Sequence, residues 1–177
     1  MTRAQLEHII RAAGTIADVD DITVIGSQAV LGEFPDAPAE LLVSNEADVF
    51  PSLHPELGDL IDASIGQGSP FQRSFGYFAH GVDETTAVLP EGWRQRLVLV
   101  TGENTRLVRG WCLEIHDLAV AKYVAGREKD RDFTKALVRH AMVRHEWLEQ
   151  RLAATSLEPQ LRSLVSARIQ ADFSAAG

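Results

Sequence analysis

One cysteine, Cys112, stands among 177 residues, so an intrachain disulfide and a multi-cysteine zinc site are both excluded. A disulfide-stapled secreted scaffold is ruled out with them, and a reducing cytoplasm is the expected setting. No apolar run approaches the roughly 20 residues needed to cross a bilayer, so no membrane partner is expected. The opening stretch MTRAQLEHIIRAAG is broken by charges and reads as an amphipathic helix, not a secretory signal. Positive charge is also scarce. Seventeen Lys and Arg against 25 Asp and Glu leave a net charge of −8, which argues against a protein that coats nucleic acid by bulk attraction. Internal repeats and low-complexity segments are absent.

What remains is ordinary for a folded domain: 45% apolar and 24% charged residues. A chain of this length hides roughly two-thirds of its unfolded surface on folding. Helical spacing of Leu6, Ile9, Ile10 and Ala13 predicts a helix over 3–14, ending near Gly14. Strands are predicted at 22–25 and 46–50, with a Pro- and Gly-rich loop at 32–40 between them. A helix follows over 54–63, with Ser52 as its candidate N-cap. The stretch 74–82 alternates like a strand, and 96–102 with 109–115 read as a hairpin closed by TGENT. From His116 the pattern turns helical: 117–125 closed by Gly126, then 130–145, 146–154 and 159–173. The fold class is therefore α+β: a mixed sheet flanked by helices over 1–115, with a helical C-terminal part, 116–177, packed on that core as one compact unit.

Three features carry possible chemistry. The strand in ITVIGSQAVLG runs into Gly26-Ser27 and then a helix start, where unpaired backbone N–H groups favour an anion. An ordinary N-cap at Ser27 explains the same residues. In SNEADVFP, strand alternation puts Glu46 and Asp48 on one face. Paired carboxylates repel unless a cation sits between them, and magnesium is held by such acids together with substrate phosphates. An exposed edge strand is the alternative. Farther on, Lys122 lies on the apolar stripe of its helix and Asp130 on that of the next, so both point where core residues belong. Unpaired buried charges are costly. A snorkelling Lys122 and a helix-capping Asp130 account for each residue singly, and a polar site shared with the upstream acids Glu46 and Asp48 is the better account of both together. Around them, Arg127, Lys129, Arg131, Lys135, Arg139 and Arg144 form a basic run suited to an anionic ligand or to a solvated helix face.

A Gly-Ser turn after a strand, two acids one residue apart on the next strand, and the block AKYVAGREKDRDF resemble the nucleotidyltransferase superfamily, the polymerase-beta-like fold. Within it the likeness is to the minimal nucleotidyltransferases, among them abortive-infection and toxin–antitoxin toxins, and it covers about 20–145. The resemblance implies a magnesium-dependent transfer of a nucleoside monophosphate from a nucleoside triphosphate to an acceptor, a tRNA end or a protein hydroxyl in the toxin-like case. It implies that Gly26 and Ser27 grip the triphosphate and that Glu46 and Asp48 hold magnesium. Lys122 and Arg127 would neutralise phosphate charge, and Asp130 would complete the acidic site or orient the attacking group. A third sheet carboxylate is also implied, with Asp83, Glu84 and Glu114 as candidates. Two departures favour an alternative, a non-catalytic module of the same fold that binds a partner such as an antitoxin. Glu46 stands where the family has aspartate, and residues 28–45 make an unusually long gap between turn and acids. Trp93, Trp111 and Trp147 are expected as packing anchors, Tyr77 and Phe78 as core residues, and His140 with His145 as too poorly aligned for a metal pair.

Overall fold

The computed structural model describes residues 1–176, which fall into two compact units. One comprises Met1–Thr86 with Leu97–Leu113, and the other Ala87–Arg96 with the chain from Glu114 onward.

The first unit is built on five strands: β1 (Asp21–Val24), β2 (Glu46–Pro51), β3 (Phe78–Gly81), β4 (Val98–Val100) and β5 (Arg109–Cys112), in the order β3-β2-β1-β5-β4. The β1–β5 and β2–β3 pairs are parallel, whereas β1–β2 and β4–β5 are antiparallel, so the sheet is mixed as expected. Helix α1 (Arg3–Ala17) buries Leu6, Ile9, Ile10 and Ala13, and a Thr2–Gln5 capping box secures its start. It runs past Gly14, which is buried against Val108, and ends where Asp18 adopts the left-handed conformation. α2 (Val30–Glu33) is a single turn, and α3 (Gly58–Ile65) packs on β3. Ser52 does not cap α3. Its hydroxyl bonds Thr23 at 2.8 Å, and a 3-10 turn from Pro55 to Leu57 leads into the helix instead. The strand expected from 74 begins later, because α4 (Pro70–Phe75) continues to Phe75 and Gly76 turns the chain. Ser69 caps α4 through the Gln72 amide. Cys112 is wholly buried, and burial pushes its thiol up to about 12, so it is a packing residue and not a nucleophile.

The second unit consists of α5 (Ile115–Ala125), α6 (Glu128–Arg139), α7 (His145–Ala153) and α8 (Pro159–Ala176). α5 packs against the other three and buries nearly every residue from Ile115 to Tyr123. Glu114, not Asp117, caps it by accepting from the His116 and Asp117 amides, and Gly126 closes it in the left-handed region. Asp117 is instead fully buried between Arg96 (2.8 and 3.0 Å) and Arg151 (3.1 Å). The Arg96 pair, with a Glu91 amide to Ala154 carbonyl bond of 2.8 Å, ties the 87–96 segment to these helices. The helix expected over 130–145 stops at Arg139: Ala141 has a left-handed backbone, and His140 and His145 fall on opposite sides of the break. Among the described residues, no helix is long and apolar enough to cross a membrane.

Candidate active site

β2 presents the two acids. Ala47 and Val49 are fully buried while Glu46 and Asp48 are only partly so, which puts both carboxylates on the opposite face from the core. Because β2 lies between β3 and β1, it is not an edge strand, and exposure at a sheet edge does not explain the pair. On the neighbouring strand the parallel register sets His80 beside Asp48. The His80 Nδ1 atom lies 3.2 Å from Asp48 Oδ1 and 3.5 Å from Glu46 Oε1. One potential ligand atom from each residue falls within 4.8 Å of the others. The side chains remain 41% (Glu46), 24% (Asp48) and 49% (His80) exposed, so the cluster opens to solvent. Two carboxylate oxygens and an imidazole nitrogen within 4.8 Å of one another form a donor set that fits a divalent cation.

The Gly-Ser turn meets this cluster. The Ile25 amide donates to the Asp48 carbonyl at 3.0 Å, which brings Gly26 against the Asp48 side chain. A Cβ at Gly26 would collide with that carboxylate. Glycine is therefore required here so that the acid can lie against the turn. Ser27 starts a 3-10 turn, Ser27–Ala29, that runs directly into α2. So short a helix has little macrodipole, and any anion affinity at the turn must come from local donors. Gln28 is buried beside it. Its Nε2 donates to Ser27 Oγ at 3.4 Å, and its Oε1 accepts no hydrogen bond among the described residues.

Two of the three candidates for a third carboxylate have hydrogen-bond partners of their own. Asp83 is exposed and accepts from the Thr85 amide and hydroxyl, while Glu114 caps α5 and pairs with His116 at 2.5 Å. The group that flanks Asp48 on the next strand is a histidine. In the sequence His80 was visible only as one residue of the alternating 74–82 stretch, and nothing in its spacing marked it as a partner of Asp48. The β2–β3 register alone supplies that link.

A second grouping lies in the helical unit. Lys122 and Asp130 both turn inward, as their spacing predicts, and meet: Lys122 Nζ is 3.3 Å from Asp130 Oδ1. Arg127 closes on the same carboxylate, with Nε 2.6 Å from Oδ2. Burial pushes the Asp130 carboxyl up, but the Arg127 hydrogen bond and the charges of Lys122 and Arg127 outweigh it and hold the group below its ordinary value. Its carboxylate is thus engaged by two cations. Of the tryptophans, Trp111 donates to Asp21 at 2.7 Å, whereas Trp147 is 42% exposed and packs between Arg144 and the buried His116 ring. Tyr77 and Phe78 are buried as expected.

A protein-family model described as a nucleotidyltransferase of unknown function matches residues 4–171. No curated protein and no solved structure matches the chain.

Proposed function

The chain belongs to a family of nucleotidyltransferases of unknown function, and from that premise we propose that it moves a nucleoside monophosphate from a nucleoside triphosphate to a hydroxyl acceptor. The acceptor hydroxyl oxygen attacks the α-phosphorus and gives up its proton to solvent, the bond from the α-phosphorus to the α,β-bridging oxygen breaks, and pyrophosphate leaves with its charge. Such transfers depend on positioning and charge neutralisation more than on covalent chemistry by the protein.

The observation that carries this reading is the Glu46–Asp48–His80 cluster on an internal strand pair with Gly26 against it. Glu46 and Asp48 hold the cation, for which magnesium is the default with paired carboxylates and triphosphate oxygens. Bound there, such an ion would supply neutralisation of the charge that develops during transfer. Gly26 and Ser27 shape the turn that receives the phosphates. Lys122, Arg127 and Asp130 form an ion cluster of their own in the helical unit, and a role for the two cations toward phosphate charge, with Asp130 positioning them, is proposed from the family resemblance alone. A tRNA end or a protein hydroxyl is the proposed acceptor, an antitoxin the proposed partner, and the cytoplasm, where nucleoside triphosphates and magnesium are plentiful, the proposed setting.

The test uses each nucleoside triphosphate labelled at the α-phosphate, with magnesium, cell RNA and total protein as acceptors. The expected result is label transfer with pyrophosphate release, reduced at least about 100-fold in Asp48→Asn, the scale on which losing one charge-stabilising group acts. Equal labelling by wild type and Asp48→Asn would exclude this site, and an unchanged biological effect in that variant would favour the non-catalytic binding module.

A further inference from the structure

We infer that His80 makes the cluster a mixed oxygen–nitrogen site that takes a transition-series divalent ion such as manganese in preference to magnesium. The inference rests on reading Glu46 and Asp48 as cation ligands. It concerns the third donor, which that reading leaves open.

The geometry bears on one atom. The Nδ1 of His80 lies at hydrogen-bond distance from Asp48, 3.2 Å, and 3.5 Å from Glu46, and each of the three groups offers a ligand atom within 4.8 Å of the others. Sheet register fixes this arrangement, since Asp48 and His80 are Cα partners in the β2–β3 ladder. The backbone at His80 is held as well: the amide of the next residue, Gly81, donates to Asp62 of α3 at 3.3 Å, and the Gly81 backbone lies so close to Gly58 that a side chain there would strike its carbonyl. The imidazole is therefore presented by a braced strand end.

Ligand chemistry decides which ion that favours. Magnesium demands near-ideal octahedral oxygen surroundings and sheds its waters reluctantly. An imidazole nitrogen adds little for it. Transition-series ions bind nitrogen readily, and manganese among them also accepts the octahedral, oxygen-rich surroundings that two carboxylates and phosphate oxygens offer. Zinc is drawn to closed tetrahedral sites of nitrogen and sulfur, whereas this cluster is open and predominantly oxygen. A carboxylate at the same position would give an all-oxygen set with no such discrimination.

The test is a manganese titration of the full chain followed by electron paramagnetic resonance, with magnesium as competitor, on wild type, His80→Ala and His80→Asp. His80 is half-exposed, so both variants are expected to melt as wild type does, and thermal denaturation checks this. Removing groups that merely support a metal ligand costs about 10–100-fold in affinity, so losing the ligand itself should weaken manganese binding at least about tenfold while magnesium binding changes less. Bound manganese should show nitrogen modulation in wild type and none in either variant, and His80→Asp should bring the two ions closer in affinity. Unchanged manganese affinity in His80→Ala, no nitrogen coupling in wild type, or no manganese binding at all would overturn the proposal. Nucleotide transfer reports separately. Transfer that persists in His80→Ala with manganese binding unaltered removes this inference and leaves the enzyme standing. A manganese preference without transfer removes the enzyme and leaves the metal site.

Discussion

At Gly26 two demands coincide: the chain must turn out of β1, and the Asp48 carboxylate must occupy the volume that a side chain would fill. Gly26→Ala therefore pushes the acid aside. Overpacking of a tight site costs about 1–3 kcal/mol, and the lower end is expected because Asp48 retains some solvent exposure into which it can swing. The site itself suffers more, since a displacement of about 1 Å in a positioned group lowers turnover on the order of 100-fold. Melting temperature close to wild type with a large loss of nucleotide transfer is the expected pair of readings. A variant that is equally active would show that the contact has no functional weight. Residues of this kind were partly legible in the sequence. Gly26, Ser27, Glu46 and Asp48 could be named because a turn and an alternating strand are local patterns. His80 could not, because its place beside Asp48 depends on which strands pair.

Among the elements, β2 and α5 taught most. Alternation in EADVF was readable, but whether β2 lay at an edge was not, because strand order is set by long-range pairing. The inward lean of Lys122 and Asp130 followed from helical spacing, and the ion pair between them bears it out. The start of α5 did not follow: Asp117 has a capping residue's chemistry, yet it lies one turn too deep and serves Arg96 and Arg151. These helices carry a pH dependence whose sign can be worked out. Asp130 and Glu114 are held below their ordinary values of 3.8 and 4.5. Burial raises both, but Arg127 and Lys122 on Asp130, and His116 on Glu114, outweigh it. Each group therefore adds stability above its unfolded-state value, lost as pH falls through the lower folded-state value. Asp117 runs the other way, because burial raises it despite Arg96. The difference between wild type and Asp130→Asn isolates one contribution. Wild type should be the more stable at pH 6, by about 1–3 kcal/mol, less than the 3–5 of a pair with both partners buried because Arg127 is 61% exposed. That margin should shrink as pH drops below about 4. A margin constant from pH 6 to 3 in thermal melts would contradict the assignment.

For the whole molecule, the α+β class and the mixed sheet were readable because strands come in a hairpin and between helices before His116 and the chain is helical after it. The return of 87–96 to the helical unit was not, since it depends on the buried Asp117–Arg96 pair and one backbone bond. Membership of a nucleotidyltransferase family and a three-residue cluster able to hold a cation support one central proposal: that nucleotide binding here depends on a divalent cation held by Glu46 and Asp48. Calorimetric titration with non-hydrolysable analogues of the four nucleoside triphosphates tests this most directly, with magnesium or manganese present and then removed by chelation, in wild type and in Asp48→Asn. Binding of at least one analogue that disappears with the cation and weakens at least about tenfold in the variant is expected, since losing even a group that supports a metal ligand costs that much. Binding that survives both chelation and the Asp48→Asn change, or no binding of any analogue, would contradict it.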